Sequence, residues 1–275
     1  MALHSAVINV MVAAVRKASR GLLRDYGEVD QLQVSLKGPA NFVSAADRKA
    51  DEQLRNELLK ARPGWSILTE ESGATPGSDS ENRWIVDPLD GTTNFLHGLP
   101  HFAICIAHER KGEIVTALIH DPLRDETFMA ERGAGAFLQD RRLRVSARRA
   151  LQDALVVTGI PDLSKPDHDL FIARLRNVMA SVAGVRRTGS AGLDLAYVAA
   201  GRFDGYWEKG LGLWDFAAGT LLVREAGGMV GDVEGNAFPE FQTVVAANDH
   251  LFERFVKLLR DADAGRGVVG PHSTG

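Results

Sequence analysis

The sequence predicts an α/β protein in which helices and sheets are stacked in layers. Three observations lead there. The second half of the chain alternates extended and helical segments, the pattern that helix–sheet–helix layering requires. The first half carries two helical patterns and then a run of apolar strands. Of the 275 residues, 45% are hydrophobic, enough to fill a sizeable core. No internal repeat or separating linker is visible, so a single domain over residues 1–263 is expected. A Gly-rich segment without periodicity, 264–275, is expected to be a disordered tail.

In chain order, Val7, Met11, Ala14, Ala18 and Leu22 recur at helical spacing and predict an amphipathic helix near residues 3–26. A second helix runs from about Ala46 to Arg62, where Pro63-Gly64 stops it. Residues 73–82 are polar and rich in Gly, Pro and Ser, and read as a loop. Phe102–Ala107, Ile114–His120, Glu126–Ala130 and Ala136–Gln139 read as strands of an antiparallel region. Beyond them, strands near Leu155–Thr158, Val185–Thr188, Phe203–Glu208 and Val244–Ala247 alternate with helices. The helices are Pro166–Ala180, Leu193–Ala200, Asp215–Glu225 and His250–Leu259.

Composition excludes several functions. The formal net charge of −4 gives no nucleic-acid signature. The single cysteine, Cys105, cannot form an internal disulfide, and its apolar surroundings read as core. The apolar run Ala6–Val15 is too short to span a bilayer, and its basic residues follow it, the wrong order for a signal peptide. No membrane partner is expected, and the location expected is cytoplasmic. Gly133-Ala134-Gly135 lacks the third glycine of a dinucleotide motif and reads as a β-turn. His97 and His101 have no Cys/His cluster around them, so a zinc site is not indicated.

The chemistry concentrates in Trp84-Ile85-Val86-Asp87-Pro88-Leu89-Asp90-Gly91-Thr92-Thr93-Asn94-Phe95. An apolar strand delivers two carboxylates three residues apart, then a glycine and two hydroxyls. Hard oxygen donors beside a turn rich in backbone amides suit a divalent cation and a phosphate together. More carboxylates are needed to hold cations against a competing phosphate. Glu70 and Glu71 close another short apolar strand, and alternation lets only one of them face a shared cation. Asp215 opens a helix downstream, where capping and metal binding both use its oxygens. Asp47 stands in the first turn of the second helix, a position that the macrodipole favours for an acid.

The string Asp87-Pro88-Leu89-Asp90-Gly91-Thr92 resembles the metal-binding signature of the inositol monophosphatase family. Trp214-Asp215-Phe216-Ala217-Ala218-Gly219 resembles its second signature, and the resemblance spans about residues 5–260. It implies a five-layered αβαβα sandwich. It further implies two magnesium ions, replaceable by manganese, with a third, weaker ion on Glu70. The first is held by Glu70, Asp87 and the backbone carbonyl of Leu89, the second by Asp87, Asp90 and Asp215. Glu71 is left in support. Thr92 and Asp47, the latter with Ser44 where the family usually has Thr, would orient an attacking water. Lys37 would lie on a mobile loop over the metals. Gly91 and Thr92 would hold the phosphate with backbone amides.

The run Thr92-Thr93-Asn94-Phe95-Leu96-His97-Gly98 resembles the inositol monophosphatase branch, whereas relatives acting on adenosine bisphosphates or histidinol phosphate tend to have Thr-Lys here. Arg186, Gly189, Ser190, Ala191 and Glu208 match positions lining the sugar pocket of that branch. The substrate so implied is myo-inositol 1-phosphate or a related polyol phosphate. Lithium inhibition and a homodimer are implied as well. Some bacterial relatives bind the transcription machinery, which makes Arg186-Arg187 the second place to look.

Overall fold

The computed structural model describes residues 5–28, 34–38, 41–161 and 167–263, with only the backbone course for 34–44. The expectations for the tail 264–275 and for Pro166 fall outside these residues. The first helix, α1 (Ala6–Tyr26), begins where Ser5 Oγ accepts the Ile8 N–H at 3.3 Å, an N-cap that relieves one of the unpaired amides of the first turn. It buries Ile8, Met11, Ala14, Val15, Ala18 and Leu22, so Ile8 rather than Val7 starts the buried stripe. A two-stranded hairpin, β1 (Val34–Gly38) and β2 (Asn41–Ser44), leads into α2 (Ala45–Ala61). Lys37 lies in a strand of this hairpin, and its side chain falls outside the described residues.

Eight strands form the larger sheet: β3 (Trp65–Thr69), β4 (Gly73–Thr75), β5 (Asp79–Asp90), β6 (Ala103–Arg110), β7 (Glu113–Asp121), β8 (Glu126–Glu131), β9 (Gly135–Leu138) and β10 (Arg141–Arg142). Their order is β10-β9-β8-β7-β6-β5-β3-β4. The segment 73–82, expected as a loop, supplies β4 and the start of β5. Its polar residues pair because β4 lies at the sheet edge against β3, where solvent covers one side. The expected antiparallel character holds except at one place that matters: β3 and β5 run parallel.

The smaller sheet has five strands, β11 (Leu155–Thr158), β12 (Gly184–Arg186), β13 (Gly205–Lys209), β14 (Gly228–Asp232) and β15 (Thr243–Asn248), in the order β12-β11-β13-β15-β14. Between β5 and β6 lies the short helix α3 (Thr92–Leu96). The remaining helices are α4 (His168–Met179), α5 (Ala191–Ala199), α6 (Leu213–Glu225) and α7 (Phe252–Asp263).

Helices α1 and α2 cover one face of the large sheet and share a core with Trp84, Val86, Phe95 and Phe102. Helices α5 and α6 fill the space between the two sheets. The pair α4 and α7 closes the far face of the small sheet around Trp207 and Phe255. The result is the five-layered αβαβα sandwich. Because α6 is covered by a sheet on each side, Phe216 to Val223 are all buried and the segment shows no polar stripe.

The first core has a titrating member. The His108 ring stacks on Trp65, centroids 4.2 Å apart, and its Nε2 lies 2.8 Å from Asn82 Oδ1. Burial, aided by Arg110 and Arg62, lowers its pKa from 6.5 to about 4. Between these values the unfolded chain binds a proton that the native chain refuses, so stability decreases as pH falls through this window. The expected loss is up to about 3 kcal/mol between pH 7 and pH 4. Urea denaturation of His108→Gln should show a shallower pH dependence than the parent chain. An unchanged slope would assign the acid sensitivity to other groups.

Candidate active site

Parallel pairing of β3 with β5 brings their C-terminal ends to one edge of the large sheet. Thr69 lies opposite Val86, and the next amide, Glu70 N–H, donates to the Val86 carbonyl at 3.3 Å. Glu70 and Asp87 therefore emerge side by side. On the other side of β5, Asp87 pairs with Cys105 and Asp90 with Ala103, and the register shifts between them. That irregularity absorbs Pro88 and Leu89, since Pro cannot donate to the ladder, and it re-aims the strand end. Gly91 follows with φ +94, a left-handed conformation, and a Cβ there would come within 3.1 Å of the His101 carbonyl. Both constraints select glycine.

Asp215 comes from the opposite direction, at the third position of α6, and its Oδ2 accepts the Gly212 N–H at 2.7 Å. It thus braces the start of the helix from inside the first turn. Asp47 reaches the site from the first turn of α2. The Thr92 hydroxyl lies 2.9 Å from the Leu89 carbonyl and 3.3 Å from Asp47 Oδ2, so its one proton serves either acceptor. Thr92 and Asp47, expected as partners, are neighbours.

The acids interact strongly. Burial raises the pKa of Asp87 well above the carboxylate range, and Glu70, Asp90, Asp215 and Asp47 each push it further in the same direction. Asp215 is raised by burial and then by Glu70 and Asp90. Asp90 reaches about 6 by burial, held down by hydrogen bonds from Ser190, Gly192 and Ala191. Gathering like charges out of water is unfavourable unless a cation joins them. All of these donors are hard oxygens, so the set suits magnesium or manganese in kind. Among the described residues, no three such groups form a closed coordination shell. The oxygens are instead turned to protein donors: Asp90 accepts from the Ser190 hydroxyl, the Ala191 N–H at 3.1 Å and the Gly192 N–H at 2.8 Å.

This clamp was not anticipated, since its halves are a hundred residues apart. It commits the Ser190 hydroxyl and the Ala191 and Gly192 amides to Asp90. A second clamp is Asn94, buried within the signature, whose Nδ2 donates to the carbonyls of His101 and Thr188, both at 2.8 Å. Thr188 in turn donates to the buried Asp194. Gly189 holds φ +90 beside Asn94, where a Cβ would meet Nδ2 at 3.1 Å.

Glu208, half-buried at the end of β13, receives the Tyr206 hydroxyl at 3.0 Å and contributes to raising the pKa of both Asp194 and Asp215. It is therefore within electrostatic reach of both Asp194 and Asp215. Parallel pairing sets Thr158 opposite Trp207, which brings Gly159 against Glu208. A Cβ on Gly159 would fall 1.8 Å from Glu208 Oε1, so only glycine leaves room for the carboxylate. Arg186 is exposed, and its guanidinium folds back to the Val185 carbonyl at 3.0 Å. Cys105 is buried and free, and burial beside Asp90 and Asp87 raises its pKa. His101 packs edge-on to Tyr197, a structural role. Ala134 N–H bonds to the Glu131 carbonyl at 2.9 Å, so the glycine pair around it is the β8–β9 turn.

A layered α/β fold thus gathers buried carboxylates at a strand end, beside a neighbouring Thr and Asp, and these are donors of the kind that suit a divalent cation. Comparison with known proteins narrows the class. The profile described as "Inositol monophosphatase family" matches residues 3–264, and the chain belongs to that family. It is 60% identical to an inositol-1-monophosphatase of Rhizobium meliloti over 94% of this chain and 96% of the relative. It is 43% identical to a protein of Escherichia coli K12 named Nus factor SuhB, over 93% and 96% of the two chains. The crystal structure of extragenic suppressor protein suhB from Bartonella henselae superposes with a TM-score of 0.90 at 58% identity, covering 93% of this chain and 99% of that one. The chain is thus a phosphatase of a generally metal-dependent family. No described helix is long and apolar enough to cross a membrane.

Proposed function

We propose that this enzyme hydrolyses myo-inositol 1-phosphate, and related polyol monophosphates, to the alcohol and phosphate. The observation that supports the reading most is the mutual influence of Glu70, Asp87, Asp90 and Asp215 beside the Thr92–Asp47 pair. Magnesium would be held by Glu70, Asp87 and the Leu89 carbonyl, and by Asp87, Asp90 and Asp215. When bound, it supplies Lewis acidity to the phosphoryl group and to the attacking and leaving oxygens.

The chain's own groups do the rest. With its proton engaged by Asp47 or by the Leu89 carbonyl, the Thr92 oxygen accepts a hydrogen bond from the attacking water and fixes its approach. Asp47, in contact with Thr92, is placed to receive the proton that the water gives up. Gly91 and Thr92 offer backbone amides to the phosphate. Glu208 accepts from ring hydroxyls while Tyr206 holds its other side, and Gly189 and Ser190 border the same space. Arg186, exposed at the end of β12, belongs to the outer edge of the pocket.

Phosphate release from myo-inositol 1-phosphate, with and without magnesium, tests this directly. Exhaustive chelation is expected to abolish turnover and magnesium to restore it; full turnover without divalent ions would sink the mechanism. In the same assay lithium, as hard as magnesium but with half the charge, is expected to replace it at Asp87, Asp90 and Asp215 and to inhibit uncompetitively at millimolar levels. Competitive inhibition would contradict this assignment.

Glu208→Gln is expected to lower the preference for inositol phosphate over a small aryl phosphate by roughly ten- to a hundredfold, the worth of a charge-assisted hydrogen bond. Gly159→Ala should act similarly by displacing the same carboxylate. Equal losses on both substrates would move Glu208 out of the polyol pocket and into the metal site.

A homodimer in the cytoplasm is part of the same proposal. The likeness to proteins named Nus factor SuhB favours one addition, an association with the transcription machinery through the exposed Arg186-Arg187 pair. Capture of RNA polymerase by the parent chain, lost on reversing the charge of Arg187 while phosphatase activity persists, would bear it out. No capture by the active parent chain would remove this addition.

A further inference from the structure

Helix α2 brings more than Asp47 to the acidic cluster. Asp47, Asp51 and Arg55 recur every fourth residue, so they lie on one face of the helix, one turn apart. Each meets a different part of the large sheet. Asp47 Oδ2 is 3.3 Å from the Thr92 hydroxyl, beyond the end of β5. Asp51 Oδ2 accepts from the Ser72 hydroxyl, in the turn between β3 and β4. Arg55 donates to the Thr75 hydroxyl, on β4, at 3.0 Å.

The turn so gripped is the one that carries Glu70. It runs only from Glu70 to Ser72, since β3 ends at Thr69 and β4 begins at Gly73. Its first amide is fixed to the Val86 carbonyl. Its last residue is fixed twice: the Ser72 N–H donates to Oγ1 of buried Thr69 at 3.0 Å, and the Ser72 hydroxyl donates to Asp51. A turn this short, pinned at both ends, leaves the backbone of Glu70 little freedom. Asp51 itself is buried, and its Oδ1 has no hydrogen-bond partner among the described residues. Burying a carboxylate with an oxygen unsatisfied is unfavourable. Core packing does not call for an acid at this position; holding the Ser72 hydroxyl does.

We propose that Asp51 is a positioning residue for Glu70: through Ser72 it fixes the turn that presents Glu70 to the first magnesium. The role rests on the proposed reading of Glu70 as a ligand of that ion. It gives α2 two duties one turn apart, Asp47 at the Thr92 hydroxyl and Asp51 at the Glu70 turn. The group proposed to take the water's proton and the ligand proposed to hold the ion are then set by a single rigid element.

Manganese binding to the full-length, metal-stripped chain, read from the EPR signal of the free ion, tests this apart from turnover. Ser72→Ala is the main variant, because Ser72 is exposed and its truncation leaves the core intact. It should bind manganese about tenfold more weakly than the parent at the site that Glu70→Gln also weakens, the scale for a group that orients a metal ligand. Ser72→Thr keeps the hydroxyl and should bind like the parent. Asp51→Ala should show the same loss as Ser72→Ala, and the double variant no more than either alone. In a Glu70→Gln background, Ser72→Ala should change nothing further. The magnesium needed for half-maximal rate should rise in Ser72→Ala, while kcat at saturating magnesium stays within about twofold. Parent-like manganese binding by Ser72→Ala would overturn the proposal. So would an undiminished loss in the Glu70→Gln background, which would make the effect a general loosening of the fold. A parent chain that binds no manganese would overturn the reading of Glu70 as a ligand, and this role with it.

Discussion

Asp90→Asn is expected to lower kcat/KM for myo-inositol 1-phosphate by about a hundred- to a thousandfold, the scale of losing one charged group at a reacting centre. Two losses combine. The amide removes one negative charge from the set proposed to hold magnesium. It also replaces an acceptor with a donor, although Ser190 Oγ, Ala191 N–H and Gly192 N–H all point at this side chain. Whichever way the amide turns, its NH₂ meets a backbone donor, so the 190–192 segment must shift. A fall in magnesium affinity together with a lower melting temperature is the expected signature. Near-native rate and affinity would show that Asp90 serves only to pin the loop and that the second cation lies elsewhere.

Gly192→Ala is the second large effect, and it needs no charge at all. A Cβ here would stand 2.4 Å from Cys105 Sγ and 2.9 Å from Asp90 Oδ2, in a site where neither neighbour has space to retreat. Overpacking of this kind costs about 1–3 kcal/mol. Because one of the contacts is the Asp90 carboxylate, activity should decline along with stability. Cys105→Ala removes the sulfur, so the double variant should recover part of the loss, with a coupling energy on the order of 1 kcal/mol. Thermal unfolding of the four proteins of this cycle measures it. Strictly additive losses would mean that the methyl is accommodated by backbone movement and not against Cys105.

The fold was legible wherever burial follows a simple period. The stripe on α1 and the apolar runs of β6, β7 and β11 place themselves, because each element hides one face or both. What stayed hidden depends on pairing. Gly73–Thr75 and Gly228–Asp232 have no β-branched alternation, and they are strands only because β3 and β15 present ladders to them. Parallel pairing of β3 with β5 was equally unreadable, yet it is what sets Glu70 beside Asp87. Every acid of the proposed centre could be named from its motif. The contacts that aim them could not: Ser190 and Gly192 on Asp90, Gly159 against Glu208, and Tyr206 behind it. These are contacts between distant segments, and no spacing rule reports them. Asn94 stood in the quoted motif itself, and an amide four residues beyond a strand end was the available hint.

That asparagine has a consequence for anyone who would retarget the enzyme. Asn94 fastens the 188–192 segment to the end of the large sheet by the Thr188 carbonyl, and Asp90 fastens the same segment two to four residues on. One wall of the proposed pocket is thus tied to the strand end proposed to meet phosphate. Substitutions in that wall will be paid for in rate, however well they suit a new alcohol. The opposite wall of the proposed pocket is built on the small sheet: Glu208 hangs from β13, faced by Gly159 and steadied by Tyr206. Libraries aimed at new polyols have more freedom there, and those that spare residues 188–192 should yield more active clones than those that include them.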